Sequence, residues 1–295
     1  MTLGPLKRVV RAVRQRWRDE PHLRAAARRA DAFLVSYPKS GRTWLRYLLS
    51  CYFAELAQLG FTPDLTTTFR VLPNFDRDPV RGVGAFVAQG IGIPLIPVSH
   101  LPFRPRIFLD RPVVFLVRDP RDVMVSAYFH ATRHKHTFSG TIAEFLDDPK
   151  YGIAALIRFL NGWGDGLEGR PHLLVSYEHM LAEPQAVVSA ILVFLGVKIR
   201  QDILARAVAA AQFDQMRDLE REQGIPGHTY DRADTQSLRM RSGKSKAFAD
   251  WLSAEQADAI LDRCRDELTP HAQVLLAATG IDLASTQSPA TLADA

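Results

Sequence analysis

The sequence predicts an α/β domain, a three-layer fold with a central parallel sheet and a P-loop-like phosphate-binding strand-loop-helix. Two observations carry that prediction. Three short apolar runs are each followed by a helical pattern, and this alternation produces a parallel sheet covered on both faces. The first run leads through a loop of small, hydroxylated and cationic residues straight into its helix, so amides and side chains converge on one point.

Charge separates the chain before any element is drawn. Residues 1–30 hold nine Lys/Arg against Asp19 and Glu20, a net +7, which leaves −2 for the other 265 residues of a chain whose total is +5. The excess belongs to an N-terminal arm and not to the body, so nucleic acid is not expected as a partner. In the arm Leu6, Val9, Val10, Val13 and Trp17 recur at helical spacing. Lys7, Arg11, Arg14 and Arg18 form another stripe, and Pro5 suits helix position N1. Two readings of this basic amphipathic helix are open: residues 1–20 attach to an anionic membrane surface or acidic partner, or the apolar stripe packs on its own domain.

The body is read from 31 to 283. Ala32-Phe33-Leu34-Val35-Ser36-Tyr37 suits a buried parallel strand ending at Pro38. Trp44, Leu45, Leu48, Leu49, Tyr52, Phe53 and Leu56 make the apolar stripe of the helix that follows, with Gly60 as its stop. The pattern returns at Pro112–Val117, with a helix from Pro120 through Phe129, and again at His172–Tyr177, with a helix from Pro184 to Leu195 closed by Gly196. Residues 214–247 are polar and basic and contain four Gly or Pro, so a long loop or lid is expected there. A last helix opens with a capping box, Ser253 and Gln256, and the small, polar tail 284–295 is expected to be disordered.

Bulk composition excludes several classes. At 295 residues, 47% hydrophobic and 23% charged, the chain can bury a sizeable core and is neither disordered nor a coiled coil. No run approaches the roughly 18 apolar residues of a spanning helix, and the first thirty residues are charged where a signal peptide is apolar. Cys51 and Cys264 stand far apart without a CxxC pair, so neither a disulfide framework nor a zinc site is expected. A cytoplasmic location, with peripheral membrane contact through residues 1–20 as an option, is the expectation.

Ligands of parallel sheets bind beyond the carboxyl ends of the strands. Beyond the first strand lies Tyr37-Pro38-Lys39-Ser40-Gly41-Arg42-Thr43-Trp44, an anion cradle that is not Walker A because its lysine precedes its glycine. Ser242-Gly243-Lys244-Ser245 fails as Walker A as well, since position 238 is Leu and no strand precedes it. Beyond the next strand Arg118 is followed by a charged helix start, Asp119-Pro120-Arg121-Asp122, with Ser126 two turns along, a pair able to grip a second phosphate. His130 and His134 share a helix face, with His136 nearby, but no carboxylate completes a metal site. They are placed at the rim of an acceptor pocket.

The first loop resembles the 5′-phosphosulfate loop of the cytosolic-type sulfotransferases, Tyr-Pro-Lys-Ser-Gly-Thr-Thr-Trp, at seven of eight positions. Arg118 and Ser126 are similar to that family's 3′-phosphate motif, and Arg241-Ser242-Gly243 to its Arg-Lys-Gly segment. Ser99-His100-Leu101-Pro102 resembles the element carrying the catalytic histidine. Tyr177-Glu178-His179-Met180 and Gln212-Phe213-Asp214-Gln215-Met216 resemble segments lining the adenine pocket. The likeness runs in order from about residue 32 to 265.

The resemblance implies in-line transfer of a sulfuryl group from 3′-phosphoadenosine 5′-phosphosulfate (PAPS) to a hydroxyl or amine, with no metal required. By that likeness the catalytic residues are Lys39, as charge stabiliser, His100, as base, and Ser126. Ser40, Gly41, Arg42 and Thr43 hold the 5′-phosphate with Lys39. Arg118, Ser126, Arg241, Ser242 and Gly243 hold the 3′-phosphate, and Trp44, Tyr177 and Phe213 hold adenine. Arg42 replaces the family's threonine, a cation that either reaches a phosphate or turns outward to an anionic acceptor, and Val98 stands where many members have lysine. Ser242 replaces the lysine of Arg-Lys-Gly.

Two other functions are weighed. A P-loop phosphotransferase would need Walker A and a magnesium carboxylate, and neither is found. A nucleotide-binding scaffold would act through the basic arm. The acceptor stays open among small molecules, glycans, lipids and peptides: the apolar loop Phe86–Pro105 favours an apolar hydroxyl, while the many arginines favour an anion.

Overall fold

The computed structural model describes residues 20–87 and 92–283. The amphipathic stretch Leu6–Trp17 and the tail 284–295 lie outside the described residues. Four parallel strands form the sheet: β1 (Phe33–Ser36), β2 (Val98–Ser99), β3 (Val113–Val117) and β4 (His172–Ser176), in the order β2-β1-β3-β4. Leu34 lies opposite Val98 and Val114, and Val114 lies opposite Leu173.

Alternation along the two central strands builds the three layers. Phe33, Val35, Val113, Phe115 and Val117 face one core, while Leu34, Val114 and Leu116 face the other. Both faces are apolar because helices cover both, which is why these strands read as unbroken apolar runs. The first core is closed by α4 (Pro120–Phe129), α6 (Ile153–Leu167), α11 (Ala254–Glu267) and α12 (Pro270–Ala277). The second is closed by α2 (Arg42–Leu56), α8 (Pro184–Phe194) and α9 (Gln201–Ala210). Residues 20–29 are helical (α1), and Leu23, Ala26, Ala27 and Ala30 are buried in the first core. The packed body therefore takes in part of the stretch that charge alone groups with the arm.

The three expected strands and the helices after them form where the sequence places them, with three differences. Strand β2, only two residues long, carries no period that a sequence reading can detect. The helix through Phe129 continues into a π-helical turn at His130–His134, a feature common at functional sites. Residues 214–247 are not one long loop, because α10 (Phe213–Gln223) occupies the start. Met216 and Glu220 make its buried face, and Arg217–Asp214 and Arg221–Asp218 pairs support its polar one. A buried glutamate in the apolar stripe hides the helical period. The capping box at Ser253 and Gln256 is present in both directions, and α12 follows the helix it opens.

Trp163 is fully buried against Phe103, Phe108 and Phe115, with ring centroids 5.2, 4.7 and 5.7 Å away. Its Nε1–H donates to the Leu101 carbonyl at 3.0 Å, tying the core to the residue after His100. Trp163→Ala is expected to cost about 3–5 kcal/mol. Urea unfolding with an unchanged midpoint would show that this cluster does not anchor the first core.

Candidate active site

The phosphate loop owes its shape to two left-handed residues. Lys39 has φ 74° and Gly41 φ 95°, so the backbone curls at the end of β1 and turns the amides of the next residues inward. Gly41 is required twice over, since a Cβ there would lie 2.4 Å from the Tyr177 ring. Helix α2 begins at Arg42 with no side-chain cap, which leaves its first amides for an anion.

Arg118 leaves the end of β3 and holds three segments at once. Nη1 donates to the Lys39 carbonyl at 3.3 Å and Nη2 to the Lys244 carbonyl at 3.2 Å. The guanidinium lies over the Tyr177 ring at 4.1 Å. Asp122, one turn along α4, pairs with Arg118 at 3.4 Å and accepts the amides of Lys246 and Phe248, each at 2.9 Å. Burial pushes the Asp122 carboxyl up while Arg118 draws it down. Asp119 caps α4 by accepting from the Arg121 amide at 2.9 Å, which explains the charged helix start.

His100 follows the edge strand β2. Its Nδ1 lies 2.6 Å from the Ser36 carbonyl, which fixes the proton on Nδ1 and leaves the Nε2 lone pair free. Burial and the neighbouring Arg42 charge hold the imidazole well below its usual range, against the raising effect of the Ser36 carbonyl. A neutral imidazole with a free lone pair is a competent base.

One cleft of about 310 Å³ collects these groups. Lys39, Gly41, Arg42, Thr43, Trp44, His100, Arg118, Ser126, Tyr177, Phe213, Arg241, Ser242 and Gly243 all line it. Of the expected residues only Ser40 does not; it is buried beneath the loop. At one end, the Trp44 Nε1–H donates to the Ala211 carbonyl at 2.7 Å. Phe213 lies so near Gly243 that a Cβ there would be 2.3 Å from the ring. Arg241 rests over Phe129 at 4.6 Å. Lys39 is lowered to about 7, first by burial and then by Arg239, with Glu220 opposing.

Arg239 and Glu220 were not among the expected site residues. Glu220 is fully buried; its carboxylate accepts the amides of Arg239 and Met240 and the Tyr230 hydroxyl, each at 2.8 Å. It thus shapes the segment that carries Arg241 and Gly243. The only sequence signal was a glutamate on the apolar face of a helix that polar composition concealed. His130 lines the cleft, whereas His134 is buried and His136 exposed. His134 Nδ1 lies 2.9 Å from the Ser237 carbonyl, and its Nε2 lies 3.0 Å from His228 Nδ1. Among the described residues, no group of three or more His, Cys, Asp or Glu could hold a metal ion, and no helix is long and apolar enough to cross a membrane.

Comparison with known proteins accounts for this arrangement. The sulfotransferase domain family matches residues 29–272. Sulfotransferase 2A2 of Rattus norvegicus is 27% identical over 247 residues, covering 78% of this chain and 81% of that protein. The 3-alpha-hydroxysteroid sulfotransferase of Cavia porcellus is 28% identical, covering 64% of this chain and 67% of its own length. Among solved structures, a mouse sulfotransferase complexed with PAP superposes with a TM-score of 0.57 at 19% identity, covering 85% of this chain and 90% of that one. Retinol dehydratase in complex with androsterone and the inactive cofactor PAP gives 0.59 at 19% identity, with 81% of each chain covered. The matched span takes in the phosphate loop, His100, Arg118 and the Glu220-anchored segment, and the chain belongs to the sulfotransferase family, PAPS-dependent enzymes that transfer a sulfuryl group to hydroxyl acceptors.

Proposed function

We propose that this cleft transfers a sulfuryl group from PAPS to the hydroxyl of a small molecule, with Lys39 and His100 as the catalytic pair. The observation that carries the reading is their joint exposure in one cleft beside an uncapped helix N-terminus. Buried Arg118 Nε has no partner, and Trp44 and Phe213 border the space, so the residues fit a nucleotide with two anionic ends. Thr43 and the loop amides hold the 5′-phosphate, Arg118, Ser126 and Arg241 the 3′-phosphate, and Trp44, Tyr177 and Phe213 the base. The hydroxysteroid named for the Cavia porcellus relative supports a small hydroxyl acceptor.

PAPS supplies the sulfur that the acceptor oxygen attacks, with the bond to the 5′-phosphate oxygen breaking as the new one forms. His100 Nε2 takes the acceptor proton, while Nδ1–H stays on the Ser36 carbonyl and fixes the ring. The Lys39 ammonium stabilises charge gathering on the departing phosphate. Since lysine and arginine supply the positive charge, no metal is needed in this scheme.

Titration calorimetry with 3′-phosphoadenosine 5′-phosphate (PAP) in EDTA tests the donor site. Tight binding that ADP does not match is expected; a preference for ADP with magnesium would transfer the reading to a phosphotransferase. Lys39→Ala and His100→Gln should each lower kcat by about 10²–10³ while PAP still binds. Full activity in either variant removes that residue from the mechanism.

The depressed lysine gives a sign that can be checked. With Lys39 lowered by burial to about 7, most of it is neutral at pH 8, and a bound phosphate raises it again. PAP binding at pH 8 should therefore take up protons, seen as an enthalpy that varies with the ionisation enthalpy of the buffer. Net release would overturn the assignment. Lys39 keeps its ordinary 10.5 when unfolded, so the unfolded chain binds the extra proton and this group's contribution to stability rises from pH 7 toward 10.

A further inference from the structure

Among the described residues, two guanidiniums in the cleft have neither a carboxylate ion pair nor an aromatic ring against them, whereas Arg118 pairs with Asp122 and Arg241 rests on Phe129 and Trp251. Arg42 lines the cavity beside His100 and makes no hydrogen bond or ion pair with any described residue. Arg239 lines it as well; its Nη2 donates to His228 Nε2 at 2.9 Å, and its Nε is buried without a partner. Glu220, the carboxylate whose charge acts most on Arg239, is already engaged by two backbone amides and the Tyr230 hydroxyl.

The positive field extends behind them. Arg46, one turn along α2 from Arg42, is only 5% exposed, donates to Asn74 Oδ1 at 2.6 Å, and keeps a buried Nε with no partner. Asp76 is the carboxylate that acts on both Arg42 and Arg46, yet it makes no ion pair with either among the described residues. Like charges gathered in a desolvated cleft repel one another until an anion enters.

Arg42 and Arg239 both share the cleft with His100. Arg118 and Arg241 lie against Tyr177 and Phe129. Arg42, Arg239 and Arg46 are the charges that act on the His100 imidazole, and Arg239 is also the charge that acts most on Lys39. Arg239 is also oriented from behind: it donates to His228 Nε2, so His228 Nδ1–H donates to His134 Nε2, and His134 Nδ1–H donates to the Ser237 carbonyl. A guanidinium held in that way presents a fixed fork, the geometry that recognises carboxylates and phosphate or sulfate esters.

We propose that the acceptor carries an anionic group beside its reacting hydroxyl, gripped by Arg42 and Arg239 next to His100. The inference rests on the sulfotransferase reading of the cleft and narrows its substrate class from small hydroxyl compounds in general to anionic ones.

The test titrates the full chain, saturated with PAP, with 4-hydroxybenzoate and with 4-hydroxybenzamide, near-isosteric phenols that differ in charge. The benzoate is expected to bind at least tenfold more tightly, with an advantage that shrinks as salt is raised. Arg239→Gln should erase the difference. Arg42→Thr, which restores the family residue, should reduce it and serves if the first variant does not fold. Equal binding of the two phenols, or binding of neither, to the PAP complex overturns the inference and leaves the donor site standing. Discrimination that survives in both variants overturns it too. Failure of PAP itself to bind removes the sulfotransferase reading, and this inference with it.

Discussion

One buried guanidinium organises the site. Arg118 joins the carbonyl of the phosphate loop to that of the segment at Lys244, and its face is covered by the Tyr177 ring that also roofs Gly41. Its charge is tolerated in the interior because Asp122 stands one turn away on the same helix. That carboxylate in turn holds the amides of Lys246 and Phe248. Segments more than a hundred residues apart in sequence meet through this single pair, and losing either partner would leave a buried charge without its counterpart.

A second carboxylate, Glu220, performs the same service on the other side. It binds backbone amides and makes no ion pair with a side-chain cation among the described residues, so it shapes the Arg239–Gly243 segment and offsets only part of the charge that segment carries. The cleft consequently contains fixed positive charge with little internal compensation. This matches the chemistry expected of it, since preorganised cations stabilise charge that develops in the reaction without having to reorient. The cost appears in the lysine, whose ammonium is lowered to about 7, first by burial and then by Arg239.

His100 is positioned by different means. His100 is fixed through the Ser36 carbonyl at the end of β1 and through Leu101, whose carbonyl is held by Trp163 in the first core. Strand β2 is too short to do this alone. The placement of His100 thus depends on a core tryptophan that does not line the cleft.

The sequence by itself determined the parallel α/β architecture, the phosphate loop and eight further residues that line the cleft. It could do so because each rests on a local signal: an apolar run of strand length, a lysine and glycine at fixed spacing, a proline at the start of a helix. Ser40 fell within that local pattern, yet its side chain turns into the interior, a direction that the loop's neighbours decide. Strand β2, helix α10, Glu220 and Arg239 were left to the tertiary structure for the same reason. A two-residue strand exists only through its pairing with Leu34 and Val35 on one side and the bridge to Asn74 on the other, and a buried glutamate is tolerated only where distant amides and a tyrosine hydroxyl come to meet it. Whether an arginine keeps a free fork depends on which carboxylates the fold brings near, and that is settled by packing across the chain rather than by spacing along it.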